Sequence, residues 1–527
     1  MPRVKLRQGY NAVPPPPPPT EPTTTEPPPP PPDPTTDVQL SPQRGTAIRL
    51  CSTTPGIDQI QETMSPGTNQ WPKAVDGGGL PRNNAARTRA IATMGATSRA
   101  AMVHGTYAFG TGSAWSDPAS AGPTVANYSN ATGLLTRLQE QYDAGFRELY
   151  ITMGLAPPLW REITHNDESK IQAQYRAKWA EWGADIAERA TAQFPTATIW
   201  FIFWNELKGY YSSTLNSWDM ARYNLDYLAW ANAIRSSATL AQTRVKLGGP
   251  YAPVRPYRVN DGPSNSNSGI IGTYGELDQR DLSAISSFVT NIPANRRDFI
   301  VFDGGLLVRK AGTLPREILM ENVYESMNLY TDTVDYIAGL TPHPVVVAEW
   351  YAGGAGNEVE PAPTAAQTNE YRTRLAVGLL KMYARGVKAL FLWKCEEHDP
   401  NDTIVYLDDP NTTTVEPTHT LVYPGRFPHH AMWTSTRRKE DGTSGGELVG
   451  DRGGNIMPMG TLQKKFIDMW AVGAPIYACT SSDPRVYALS NGTQTIAVNT
   501  ASVSLVALCG DSVTTTLPKW STTVIGA

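Results

Sequence analysis

Residues 198–209 read TIWFIFWNELKG. From Thr198 to Trp204 every side chain is β-branched, aliphatic or aromatic, with no polar alternation. Such a run suits a short strand buried on both faces, as in a parallel sheet covered by helices. It breaks at Asn205-Glu206, where a carboxylate would be costly to bury without a partner, so both residues are predicted at a strand tip. Residues 345–353, VVVAEWYAG, repeat the pattern with Glu349 after an apolar run.

Six further stretches share this texture: Ala47–Cys51, Ala100–Gly105, Arg147–Met153, Val245–Gly249, Asp298–Phe302 and Lys388–Trp393. Helical periodicity fills most of the gaps, over Asn130–Ala144, Ile171–Phe194, Trp218–Ser236, Glu317–Ala338 and Thr368–Ala384. In Ile171–Phe194 the side chains Tyr175, Trp179, Trp182, Ile186 and Ala190 make one stripe, read as core, and Pro195 stops the helix. Strands alternating with helices, without hairpin signals, predict a parallel sheet. Eight such units and no G-x-G-x-x-G fingerprint favour a closed (β/α)8 TIM barrel over an open doubly wound sheet. After a helix over Thr461–Ala471 come Thr- and Val-rich strands, Val486–Leu489, Thr495–Val498, Val503–Leu508 and Ser521–Ile525, with a hairpin at Asn491-Gly492. They predict a small C-terminal β-sandwich-like domain over 476–527.

In a parallel barrel, chemistry collects where the strands end. The predicted ends carry His104-Gly105, Asn205-Glu206, Asp303, Glu349, and Trp393 followed by Glu396 and Glu397. Two carboxylates facing one pocket suit glycosidic cleavage: one protonates the leaving oxygen, while the other attacks the anomeric carbon or activates water. His429-His430 reads as a loop pair, Glu396-Glu397-His398 as pocket rim and Arg437-Arg438-Lys439 as a solvated basic turn. No zinc-type spacing of Cys and His occurs, and neither a metal nor a cofactor is expected.

These landmarks resemble the retaining glycoside hydrolases of the large (β/α)8 clan with catalytic glutamates on strands four and seven, and within it glycoside hydrolase family 39. Trp204-Asn205-Glu206 is similar to the clan's acid/base motif, and Ala348-Glu349-Trp350 to its nucleophile strand. His104-Gly105, Asn127-Tyr128, residues 145–160 (GFRELYITMGLAPPLW), Gly248–Pro250 and Trp393 follow in the family's order, over roughly residues 100–475. The resemblance implies Glu206 as general acid/base and Glu349 as nucleophile, Asn205 on the sugar 2-hydroxyl and Trp393 beneath the ring. Two positions depart from the family. No arginine precedes His104, and the strand-six end reads Phe302-Asp303-Gly304-Gly305 where the family tends to carry His and Tyr. A second reading is therefore a barrel that has lost catalysis and serves as a carbohydrate-binding or structural protein.

The 527 residues hold 45 Lys and Arg against 49 Asp and Glu, a net charge of −4, which argues against nucleic-acid binding. Mean hydropathy is −0.34, and no run approaches the ~18 apolar residues of a membrane span. Four cysteines make no disulfide scaffold; Cys51 and Cys395 stand alone, while Cys479 and Cys509 are a candidate pair. Pro14–Pro34 holds 14 of the 44 prolines and predicts an extended polyproline II stalk. The expected order is an anchor segment over 1–13, a Pro/Thr-rich linker over 14–45, the barrel over 46–475 and the β domain. Residues 1–40 are then dispensable for folding, and residues 1–34 meet other subunits of a larger assembly. No signal peptide is read in MPRVKLRQGY. A polysaccharide substrate without an export signal fits a bacteriophage tail protein, freed by lysis; the alternative location is extracellular.

Overall fold

The computed structural model describes residues 37–58, 100–104, 132–143, 145–154, 160–163, 169–207, 209–254, 256–257, 268–271, 276–305, 331–351, 365–392, 405–406, 421–422, 456, 458–510 and 513–526. Eight strands close into a barrel, every neighbouring pair parallel. In barrel order they are Thr54–Asp58, Ala100–His104, Glu148–Thr152, Thr198–Ile202, Val245–Pro253, Phe299–Gly305, Val345–Tyr351 and Ala389–Leu392. They are called strands one to eight below.

Two separate apolar clusters explain the unalternating sequence of these strands. Tyr150, Trp200, Ile202, Phe299, Val301, Val346, Ala348, Ala389 and Phe391 fill the barrel interior. Their chain neighbours Leu149, Ile151, Ile199, Phe201, Ile300, Val345, Val347 and Leu390 belong to the outer layer shared with the helices. The interior is aromatic: Tyr150 stacks on Trp200 with centroids 5.1 Å apart, and Phe391 meets Tyr150 edge-on at 4.8 Å. Lys388 pairs with Glu148 beside Trp200, at the N-terminal ends of strands eight and three. Gly248 admits the Phe299 ring, since a Cβ there would stand 2.4 Å from it.

The helices follow the predicted pattern with shifted ends. They are α1 Thr132–Asp143, α2 Arg176–Gln193, α3 Met220–Ser236, α4 Gln279–Asn291, α5 over 331–340, α6 Ala365–Arg385 and α7 Pro458–Met469. Trp179, Trp182, Ile186 and Ala190 of α2 are buried core residues, as expected. Asp219 caps α3 by accepting the Arg222 N–H at 3.0 Å. Helix α4 was not anticipated, although Leu282, Ile285 and Phe288 make its buried stripe.

The first barrel strand departs from the prediction. Thr54–Asp58, not Ala47–Cys51, closes the barrel, pairing with strand eight on one side and strand two on the other. Arg49–Leu50 instead pairs antiparallel with Pro475-Ile476, leaving Ile48 and Leu50 47% and 63% exposed. The strand that forms contains Pro55 and Gly56, both poor strand residues, which is why its sequence did not announce it.

The C-terminal strands build one eight-stranded sheet rather than a unit confined to residues beyond 475. Val38–Pro42, within the expected linker, is a central strand of it. It runs antiparallel to Pro475–Ser481 and parallel to Leu505–Cys509. Val486–Ser490, Gln494–Asn499, Val513–Leu517 and Ser521–Gly526, with Arg49–Leu50 beside Pro475–Ser481, complete the eight strands, and Val513–Leu517 and Ser521–Gly526 curl toward each other. Val38, Leu40, Ala497, Ala507, Leu517 and Ile525 form its core. The predicted Asn491-Gly492 hairpin is present, with Gly492 at φ 96°.

Cys479 and Cys509 are free thiols, not a disulfide. Val38–Pro42 lies between their strands, with Cys479 opposite Pro42 and Cys509 opposite Leu40. Two inter-strand spacings of ~4.8 Å exceed the ~4.4–6.8 Å Cα separation of a disulfide. Cys51 is a free buried thiol, and Cys395 lies outside the described residues, as do residues 1–36 with the predicted stalk. Among the described residues no helix is long and apolar enough to cross a membrane.

Candidate functional site

All eight strands are parallel, so their C-terminal ends share one rim of the barrel. His104 ends strand two, in register with Thr152 at the end of strand three. Asn205 and Glu206 follow strand four, Asp303 lies near the end of strand six, and Glu349 lies near the end of strand seven. The sequence-predicted rim residues His104, Asn205, Glu206, Asp303 and Glu349 thus all belong to the same end. Trp393, Glu396, Glu397 and His398 lie outside the described residues, as do His429-His430 and Arg437–Lys439.

The turn carrying Glu206 is backbone-strained. Glu206 and Leu207 both take left-handed conformations, φ 53° and 55°, which cost a non-glycine residue ~1–2 kcal/mol each. Packing on either side holds them there. Trp204 is fully buried, its ring 5.5 Å from Trp179 and 5.6 Å from Tyr210, and Leu207 is fully buried too. The Tyr210 N–H donates to the Leu207 carbonyl at 3.0 Å, and the Tyr210 hydroxyl donates to Asp226 Oδ2 at 3.0 Å. Asp226 is in turn paired with Arg176 and with Arg222, whose Nε lies 2.9 Å from Oδ2. Burial, then the Asp226 carboxylate, pushes the Tyr210 hydroxyl well above the ordinary tyrosine range, so it stays a donor. Glu206 itself is half-buried at the rim.

Strand seven is irregular where Glu349 lies. Opposite Phe302 and Gly304 of strand six stand Val347 and Trp350, so Ala348 and Glu349 together face the single residue Asp303. Against strand eight the same two residues face Phe391 alone. This is a β-bulge, a device that interrupts in–out alternation and re-aims the chain beside functional sites. Strand five has its own irregularity at Tyr251, φ 54°, after the cis Gly249–Pro250 bond. Three departures from regular backbone therefore cluster on the rim that carries the glutamates.

Sequence reasoning assigned no role to Thr152 or Gly154. Thr152 is fully buried and shares the inward alternation of Tyr150; its Oγ1 has no hydrogen-bond partner among the described residues. Asn205 is buried as well, with its Oδ1 likewise unpartnered among the described residues. A Cβ on Gly154 would stand 2.6 Å from the Asn205 Cβ, so glycine is what lets Asn205 lie there. Asp303 is buried, and its carbonyl accepts the Val254 N–H at 3.0 Å, tying strand six to the end of strand five. No group of His, Cys, Asp and Glu among the described residues is arranged to hold a metal ion.

No family model matches the sequence, and no curated protein matches it. Among solved structures the chain is similar to a monomeric β-xylosidase from Caulobacter crescentus CB15. The two are 11% identical with a TM-score of 0.49, over 90% of this chain and 78% of that one. It is also similar to an α-L-arabinofuranosidase from Thermotoga maritima, 9% identical with a TM-score of 0.49, over 89% and 87% of the two chains. A family 44 endoglucanase from Clostridium thermocellum is 9% identical with a TM-score of 0.43, over 94% and 98%.

Proposed function

We propose that the chain is a retaining glycoside hydrolase that cleaves a cell-surface or envelope polysaccharide by double displacement. The observation that supports it best is the pairing of Glu206 after strand four with Glu349 in the bulge of strand seven, on one rim of a closed parallel barrel. In this reading Glu206 protonates the glycosidic oxygen as Glu349 attacks the anomeric carbon, and a sugar ester forms on Glu349. Glu206, now a carboxylate, then takes a proton from water, which releases the sugar with its configuration retained. Trp204, fully buried against Trp179 just before the turn, supplies the apolar neighbour that suits a general acid.

The test is turnover of nitrophenyl glycosides by the purified chain, with Glu349→Gln as the control. Hydrolysis that the substitution abolishes supports the proposal. Saturable sugar binding without any hydrolysis favours the second reading, a binding barrel, to which Asp303 and the missing arginine before His104 lend weight. The sequence of residues 1–36 supports a further part of the proposal: a proline-rich tether joins the barrel to other subunits, on a phage tail. Deleting those residues would then abolish incorporation into the particle and leave hydrolysis intact.

A further inference from the structure

One side chain touches the chain on both sides of Glu206. Before it, the Trp204 ring meets the Tyr210 ring edge-on, with centroids 5.6 Å apart. After it, the Leu207 carbonyl accepts the Tyr210 N–H at 3.0 Å and closes the left-handed pair Glu206-Leu207 into a turn. Tyr210 is fully buried and is held from its far end as well. Its hydroxyl donates to Asp226 Oδ2 at 3.0 Å. That carboxylate, on α3, is fully buried and paired with Arg222 one turn earlier and with Arg176 at the start of α2. Arg222 also donates to the Ile171 carbonyl, so the anchor is tied to the chain before α2.

A hydrogen bond to a charged, desolvated acceptor is among the stronger ones, and it fixes the tyrosine ring where a phenylalanine could tilt. Two consecutive left-handed residues persist only while their surroundings over-determine them. A hydroxyl, a carboxylate and two guanidinium groups are a costly way to pack a core, and here they converge on the turn that carries Glu206. We propose that Tyr210, anchored by Asp226, is a positioning residue for Glu206: it holds the turn so that the carboxyl keeps the place from which it protonates the leaving oxygen. The inference rests on the glycosidase reading and adds to it a residue that acts through the turn, not on the sugar.

The test measures kcat/KM of the full chain on two glycosides of the sugar that wild type hydrolyses fastest in a nitrophenyl panel. The dinitrophenyl glycoside departs unaided, whereas the phenyl glycoside needs a proton. Tyr210→Phe keeps the ring and removes only the hydroxyl. It should lower kcat/KM at least about tenfold on the phenyl glycoside and less than about twofold on the dinitrophenyl one. Tyr227→Phe is the control, since it removes another buried α3 hydroxyl, one that donates to the Arg296 carbonyl at 2.8 Å. The control should leave the ratio of the two rates unchanged, because lost stability alone lowers both alike. A Tyr210→Phe ratio within about twofold of wild type, or one that Tyr227→Phe matches, overturns the inference while the glycosidase reading survives. If Tyr210→Phe melts below the assay temperature, Arg176→Gln weakens the same anchor from a part-exposed position. It should shift the ratio at least about threefold in the same direction, and an unshifted ratio overturns the inference. If wild type hydrolyses no glycoside, the glycosidase reading fails, and NMR of labelled glutamate carboxyl carbons decides, the Glu206 signal being the one lost in Glu206→Gln. A Glu206 signal moved by Tyr210→Phe and not by Tyr227→Phe supports the positioning role; one unmoved by both, or moved equally, overturns it.

Discussion

Glu206 and Glu349 are assigned different work, and leaving-group chemistry separates them. Glu206→Gln should slow glycosides of poor leaving groups by about 100-fold or more and spare activated aryl glycosides, which depart without a proton. Glu349→Gln should abolish both. Equal losses on the two substrate types for Glu206→Gln, measured as kcat/KM, would deny it the acid role. Gly154 offers an independent probe. Gly154→Ala puts a methyl group 2.6 Å from the Asn205 Cβ, so Asn205 must move. Activity should fall at least about tenfold, since a displacement near 1 Å can cost about 100-fold. The two glutamates stand out in the sequence because each interrupts an apolar run; Glu206 follows the end of strand four, whereas Glu349 lies within strand seven, in its bulge. Thr152 was not legible: threonine is an ordinary strand former, and only the observed alternation puts its hydroxyl inward. Nor could the sequence show the bulge at Ala348 and Glu349, which depends on what the neighbouring strands do.

Strands announced themselves in proportion to how thoroughly they are buried. Strands three, four, six, seven and eight are dominated by Val, Ile, Leu and aromatic residues because helices cover one face and the barrel interior the other. Thr54–Asp58 lacks that signature, and its place is fixed by the need to join strands eight and two. Val38–Pro42 was hidden for another reason. Its partners lie more than 400 residues away, and its neighbours in sequence are prolines and threonines. The deletion that seemed harmless from sequence must therefore stop earlier. Removing residues 1–36 should leave the cooperative melt of the chain unchanged, whereas removing 1–42 should unfold the C-terminal sheet. Leu40→Ala, at a fully buried position, should cost about 2–5 kcal/mol in denaturant unfolding. A 1–42 deletion that melts like the parent would show that the strand contributes nothing.

Alkaline pH should strain the molecule as a unit. Tyr150, Tyr210, Tyr223, Tyr227 and Tyr383 are all held well above the ordinary tyrosine range, with burial the largest cause for each. Burial also pushes the Cys479 thiol up to about 12, with Cys509 adding to the shift. For these groups the folded state keeps its protons longer than the unfolded state does. Their contribution to stability is complete below the unfolded values, near 9 for the thiol and 10 for the phenols, and is lost as pH rises past them. Tyrosine ionisation followed by ultraviolet absorbance should therefore show a block of phenols that titrate only as circular dichroism is lost. A smooth titration of every tyrosine near pH 10 in the folded protein would contradict that burial.

The seam at Val38–Pro42 also sets a timetable for biosynthesis. Its strand pairs with residues 479–481 and 507–509, so on the ribosome it waits for nearly the whole of the described chain to emerge before its edges are satisfied. Barrel strands one to eight are translated in the interval and can begin to assemble without it. Val38 and Leu40 stay unsheltered on the nascent chain, a target for holding chaperones and for intermolecular pairing. Contacts of such high contact order form slowly, so sheet closure is the natural last step of folding.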